Sequence, residues 1–100
     1  MSLSTAQKQA THQEFVENLR RLNLTPQNIA TALGTTPQRI EDIINLRNIR
    51  RLEDAWIIRR YLLERAKQSD ISLVPFTALQ GDPEGYWFLD AARIERIELD

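Results

Sequence analysis

The chain has 100 residues, no cysteine and a formal net charge of -1, with 42% hydrophobic and 27% charged residues. This length and composition predict one globular domain over residues 1–100, and the missing cysteine excludes disulfides and thiolate metal sites. Short apolar runs and the lack of a signal-peptide pattern predict a cytoplasmic protein without membrane contact.

The first predicted helix runs from Ser4 to about Leu22. Ser4 and Gln7 have the spacing of a capping box. The only histidine, His12, shares the apolar face of this helix, so we expect a partly buried packing residue rather than a ligand or base. The residues on that face recur at steps of three and four: His12, Phe15, Val16, Leu19 and Leu22.

Two short helices follow, and both begin with the tripeptide Thr-Pro-Gln, at residues 25–27 and 36–38. Threonine is suited to cap a helix and proline to occupy the first helical position. The first is predicted to end at Gly34, which readily takes a left-handed conformation. The second is predicted over residues 37–46.

A fourth helix is predicted from Leu52 to about Lys67, apolar over a broad arc, with Glu53 and Asp54 in the first turn, where they suit the helix dipole. Trp56 is expected in the core.

The remainder, an aromatic and acidic extension over residues 70–100, has weaker patterns. We predict extended chain at 72–75, one helical turn at 76–79, a turn at 81–85, a strand or extended segment at 86–89, and a helical turn at 90–95. The aromatic residues at 86–88 are expected in the core, with base stacking or a dimer contact as alternatives.

The spacing over residues 25–46 is typical of a helix-turn-helix, in which a small residue lets two helices cross closely and apolar residues lie inside at matched positions. The small residue is Ala30 and the turn residue is Gly34. The inner apolar positions are Ile29, Leu33, Ile40 and Ile43. The fold class is therefore mainly α: a four-to-five-helix domain with a helix-turn-helix and a short C-terminal extended or strand segment.

These residues resemble the lambda-repressor-like superfamily of helix-turn-helix regulators, over roughly residues 10–66. The matching positions are Gln27, Ile29, Ala30, Leu33, Gly34, Thr36, Ile40 and Ile43. Nearly the full chain also resembles a small bacterial family of unknown function, through the segments 51–59, 74–79 and 86–90.

The resemblance implies that helix 37–46 lies in the major groove of DNA. Its expected contacts are Thr36 to phosphate, Gln38 to adenine and Arg39 to guanine or phosphate. Asp42 also falls on the contact positions, beside Glu41, and both acids oppose attraction to phosphate.

Just past this helix lie Arg47, Arg50 and Arg51, in a segment, residues 47–67, with seven cations and three acids. We expect them to clamp phosphates. The alternative is a solvated connector whose arginines pair with Glu53, Asp54 or the acidic tail.

No motif indicates an enzyme, a metal site or a cofactor. The first hypothesis is a transcriptional regulator that binds double-stranded DNA as a homodimer. The alternative is a protein-interaction module that keeps the helix-turn-helix packing and uses its acidic helix on a protein partner, without binding DNA.

Overall fold

The computed structural model describes residues 4–47, 53–79, 91–97 and 99, and 71% of them are helical. The prediction of a mainly helical protein is confirmed. These ranges contain no strand, so the predicted strand segment has no support, and residues 81–89, where we predicted a turn and that strand, lie outside them. The helices of the described chain are α1 (Thr5–Leu22), α2 (Pro26–Leu33), α3 (Pro37–Ile44), α4 (Glu53–Ser69) and α5 (Ala91–Glu95).

Helix α1 begins and ends as predicted. The Ser4 hydroxyl accepts a hydrogen bond from the Gln7 amide, and the Gln7 side chain accepts one from the Ser4 amide, which completes a capping box. Asn23 closes the helix in the left-handed conformation. On its packed face Phe15, Leu19 and Leu22 are buried as predicted, and Thr11 and Asn18 are buried beside them. Val16, predicted inside, is exposed because it lies a 100° step away from Phe15.

Helices α2 and α3 begin alike because Thr25 and Thr36 each accept a hydrogen bond from the third amide of their helix. Gly34 ends α2 with φ of 71°, as the sequence predicts. Helix α3 ends at Ile44, two residues before its predicted end, because Leu46 turns left-handed with φ of 56°. The Arg47 amide then donates to the Asp42 carbonyl at 2.9 Å, which closes a Schellman motif.

Helix α4 lies at the centre of the packing: α1, α3 and α5 all contact it, and α2 packs on α3. It begins at Glu53 within the described residues and extends two residues beyond its predicted end. The predicted helical turn at 90–95 is confirmed as α5. The fully buried side chains of the core include Phe15, Ile29, Ile40, Ile43, Ile57, Ile58, Leu62, Leu79 and Ile94.

Residues 71–79 have no regular structure and are held on α1 by side chains. The buried Asn18 carboxamide donates to the Val74 carbonyl at 3.1 Å and accepts from the Val74 amide at 2.8 Å. The Thr77 amide donates to Glu14 at 3.1 Å. The helical turn predicted at 76–79 is wrong: the bonds to Asn18 and Glu14 hold this segment against α1, and residues 77–79 form a bend.

His12 lies partly buried, as predicted. Its Nδ1 is 3.1 Å from the Ile44 carbonyl oxygen, and a carbonyl can only accept, so the ring nitrogen carries the proton. This contact fixes the C-terminal end of α3 on α1.

Candidate nucleic-acid interface

Helix α3 has a buried side and a solvent side, and the solvent side carries most of the residues predicted to contact DNA. Ile40, Ile43 and Ile44 are buried. Thr36 and Gln38 are exposed and Asp42 is partly buried. We call Thr36, Gln38, Asp42 and the exposed Arg47 the outer face of α3.

Asp42 connects the other polar groups of the outer face. It accepts a hydrogen bond from Gln38 Nε2 at 2.9 Å, one helical turn earlier. Arg47 Nε lies 3.4 Å from the same carboxylate oxygen. The Asp42 carboxylate therefore neutralises the charge of Arg47 and holds the side-chain amide of Gln38, which is expected to contact bases.

The Thr36 hydroxyl can donate a hydrogen bond while it caps the helix. Its oxygen accepts from the Arg39 amide at 3.2 Å to cap α3. A hydroxyl that accepts at its oxygen still has its own hydrogen to donate. Thr36 can thus cap the helix and donate to an anion at the same time.

Arg39 differs from the other predicted contacts because its guanidinium turns toward the protein. Arg39 Nη2 donates to the Leu99 carbonyl at 3.2 Å and lies 3.6 Å from Asp54 Oδ2. The side chain is 30% exposed. Arg39 therefore occupies the edge of α3, where helix and core meet, rather than the outer face.

Next to Arg39 lies a group of charged residues that we call the buried charge cluster: Glu53, Asp54 and Arg93, exposed by 5%, 3% and 8%. Arg93 Nη1 donates to Glu53 in a short contact, and Arg93 Nη2 lies 4.0 Å from Asp54 Oδ1. The same Nη2 also donates to the Leu99 carbonyl at 2.9 Å. Charges so far from water are tolerated only when they are paired.

Sequence reasoning missed this cluster. It predicted that Glu53 and Asp54 interact favourably with the dipole of the fourth helix. As an alternative to phosphate binding, it let the arginines after α3 pair with these two acids. Their partners in the structure are Arg93, 40 residues further along, and Arg39. The available signal was Arg93, directly before the apolar Ile94 in a tail with two arginines and seven acids, since an arginine buried there would need acids as partners.

The remaining cations are in different places. Arg50 and Arg51 lie outside the described residues. Arg60 pairs with Glu64 and with Glu95 of α5, both at 3.1 Å. The Arg59 guanidinium lies 5.0 Å from the centre of the Trp56 ring, and burial, followed by repulsion from Arg60, lowers the pKa of Arg59.

The outer face therefore offers an amide, a hydroxyl and one exposed guanidinium, with the Asp42 carboxylate between them and the exposed Glu41 beside them. Such groups can bind base edges and phosphates by hydrogen bonds. In the described ranges, His, Asp and Glu form no group of three that could hold a metal ion. None of the helices in those ranges combines the length and apolarity that crossing a bilayer requires.

A comparison with known protein families identifies the family of this chain. Residues 1–90 match the model of a family described as uncharacterised proteins conserved in bacteria, DUF2316, and the chain belongs to that family. Neither a curated protein nor a solved structure matches it. The resemblance to a bacterial family of unknown function is thereby confirmed, and the resemblance to lambda-repressor-like regulators stays a prediction.

Proposed function

We propose that this protein binds double-stranded DNA, with α2 and α3 acting as a helix-turn-helix and α3 lying in the major groove. The observation that carries the proposal is the division of α3 into two sides. Ala30 of α2 and Ile40 and Ile43 of α3 are at most 2% exposed, while Gln38 stands on the solvent side of the same helix. A short helix supported in this way can present its N-terminal side chains to base edges.

In this proposal each residue of the outer face has a role. Gln38 exchanges its bond to Asp42 for a bidentate bond to adenine. The Thr36 hydroxyl and Arg47 contact phosphates, as do Arg50 and Arg51 further along the chain. Asp42 holds Gln38 and Arg47 in the absence of DNA and accepts from cytosine when DNA is bound.

The proposal is tested by fluorescence anisotropy with mixed-sequence duplexes at about 50 mM salt and above, followed by selection of a preferred sequence. Gln38→Ala should weaken binding to the preferred sequence by about 1–3 kcal/mol. Gln68→Ala is the matched control, because Gln68 is also exposed but lies near the end of α4, and it should leave affinity unchanged. Absence of binding at the lowest salt contradicts the proposal.

We also propose that the protein acts as a homodimer, because two copies place two α3 helices on half-sites one DNA turn apart. Analytical ultracentrifugation with and without duplex DNA measures this directly. A two-to-one complex on a palindromic site is expected, and a one-to-one complex on every duplex argues against it. A DNA-binding role also implies a cytoplasmic location.

A second candidate function is a protein-interaction module. It is favoured by the acids on α3: Glu41 is exposed, Asp42 lies at the centre of the outer face, and Arg39 turns away from it. Replacing Glu41 and Asp42 with lysine should abolish capture of a protein partner from nuclease-treated extract. The same double substitution should strengthen DNA binding. Partner capture and DNA affinity should therefore change in opposite directions, which separates the two functions.

A further inference from the structure

The contact between Arg39 and Leu99 joins two parts of the molecule that are 60 residues apart in sequence. Arg39 follows Gln38 on α3, at the edge of the outer face. The acceptor for its guanidinium is the backbone carbonyl of Leu99, together with the Asp54 carboxylate. A predicted DNA-contacting residue is thus held by a segment that lies outside the helix-turn-helix.

Leu99 is itself fixed in two ways. Its side chain is 4% exposed and belongs to the hydrophobic core. Its carbonyl also accepts from Arg93, whose guanidinium is anchored by Glu53. The position of the Leu99 carbonyl therefore depends on the packing of α5 against α4 and of the Leu99 side chain in the core.

Arg39 is more exposed than Arg93, and its bond to the shared carbonyl is longer. Its distance to the shared carbonyl is 3.2 Å, against 2.9 Å for Arg93, and its side chain is 30% exposed against 10%. If Arg39 leaves, Arg93 still pairs with Glu53 and still lies near Asp54. Release of Arg39 therefore leaves Arg93 beside both buried carboxylates, so it costs less than the loss of Arg93 itself.

We propose that Arg93 and Leu99 form a latch that withholds Arg39 from DNA. This inference rests on the proposed DNA-binding function and adds its regulation. A guanidinium bound to the Leu99 carbonyl and to Asp54 is not available for a phosphate or a guanine. When Leu99 undocks, Arg39 loses one acceptor, turns toward the outer face and adds one cationic contact to the interface.

The test uses the full chain with Leu99→Ala, which removes the side chain that docks the latch. Leu79→Ala is the matched control, because Leu79 is also a buried leucine of the core, while the carbonyl that accepts from Arg39 belongs to Leu99. Two quantities are measured: the rate at which phenylglyoxal labels Arg39, followed by peptide mass spectrometry, and the affinity for a mixed-sequence duplex. The first readout needs no DNA.

Leu99→Ala should label Arg39 several-fold faster and bind DNA about 3–10-fold more tightly at low salt, with a salt slope steeper by about 1. Leu79→Ala should change neither quantity. The gain in affinity should disappear in the Arg39→Gln background. Asp54→Asn, which keeps the side-chain shape but weakens the ion pair, should give a smaller change of the same sign, and it replaces Leu99→Ala if circular dichroism shows that variant unfolded.

The outcomes separate the latch from DNA binding itself. Unchanged labelling of Arg39 overturns the latch, whatever the affinity. Faster labelling with unchanged affinity for DNA overturns its regulatory role. Faster labelling in a protein that binds no duplex at any salt overturns the proposed function and leaves the Arg39 contact as a structural one.

Discussion

The outer face of α3 and the buried charge cluster each contain an arginine paired with a carboxylate, but the surroundings of the two pairs differ. Arg47, on the outer face, is 60% exposed and lies 3.4 Å from Asp42. Arg93, in the cluster, is 10% exposed and bonds Glu53. Water and salt screen the first pair, so it contributes about 0–1 kcal/mol, whereas removing one partner of the second leaves a buried charge uncompensated.

The comparison indicates where contacts can be exchanged and where they hold the fold. The contacts on the outer face cost little to break, which the proposed exchange for DNA requires. Contacts that cannot be broken cheaply hold α4 and α5 together. Arg39 lies between the two regions, which is why we propose it as the regulated residue.

The largest expected effect is at the buried cluster. Arg93→Met should lower the free energy of unfolding by about 3–5 kcal/mol, because Glu53 and Asp54 lose their main buried cation. Urea denaturation measures the loss. Arg65→Met, at an exposed position of α4, should stay within about 0.5 kcal/mol. A loss at Arg93 no larger than at Arg65 would remove the distinction between the two regions.

A buried but uncharged group should give an intermediate effect. Asn18→Ala removes both hydrogen bonds to Val74 and should cost about 1–3 kcal/mol. Gln13→Ala, at an exposed position of α1, serves as the control in the same denaturation experiment. If the two variants unfold at the same urea concentration, the Asn18 contact does not hold residues 71–79 in place.

On the outer face we expect a small effect on stability and a visible one on binding. Asp42→Asn should change the free energy of unfolding by less than about 1 kcal/mol. It should also tighten binding to a mixed-sequence duplex about threefold or more at low salt, because there the loss of one negative charge outweighs any single base contact. Asp70→Asn removes an exposed acid just after α4 and should leave affinity unchanged. Weaker binding of the mixed-sequence duplex by Asp42→Asn would contradict the expected repulsion between Asp42 and phosphates.

The smallest effect concerns Glu17 on α1. Hydrogen bonds from Arg20 and then Arg21 lower its pKa from 4.5 to about 2. Because the pKa is lower in the folded state, the interaction stabilises the fold above pH 4.5 and this stabilisation is lost as the pH falls toward 2. Carbon NMR of the Glu17 carboxyl should show its midpoint near 2, rising in high salt. A midpoint near 4.5 at low salt would show that these arginines do not hold the carboxylate.

Local signals in the sequence predicted the helices well. The capping pattern of Ser4 and Gln7, the two Thr-Pro starts and Gly34 each act through their nearest neighbours, so α1, α2 and the start of α3 are where we expected them. The end of α3 was missed because a buried leucine, Leu46, takes the left-handed conformation usually left to glycine.

Contacts between distant residues could not be predicted from one sequence. Arg39 was expected to project outward beside the DNA-contacting residues of α3, and only the burial of Leu99 in the core brings the Leu99 carbonyl to it. The burial of the Glu53 and Asp54 carboxylates could likewise not be predicted, since their partner Arg93 lies about 40 residues further along the chain. The choice of Gln38 and Thr36 as contact residues came from the resemblance to helix-turn-helix regulators, and both residues are exposed in the structure.

The central claim is that α3 binds DNA through its outer face, and amide NMR spectra recorded during titration with a short mixed-sequence duplex at about 50 mM salt test it most directly. We predict that the signals of residues 36–47 shift progressively with added duplex, while those of residues 61–69 in α4 remain in place. Spectra that do not change at an excess of duplex, or shifts confined to α4, would contradict the claim.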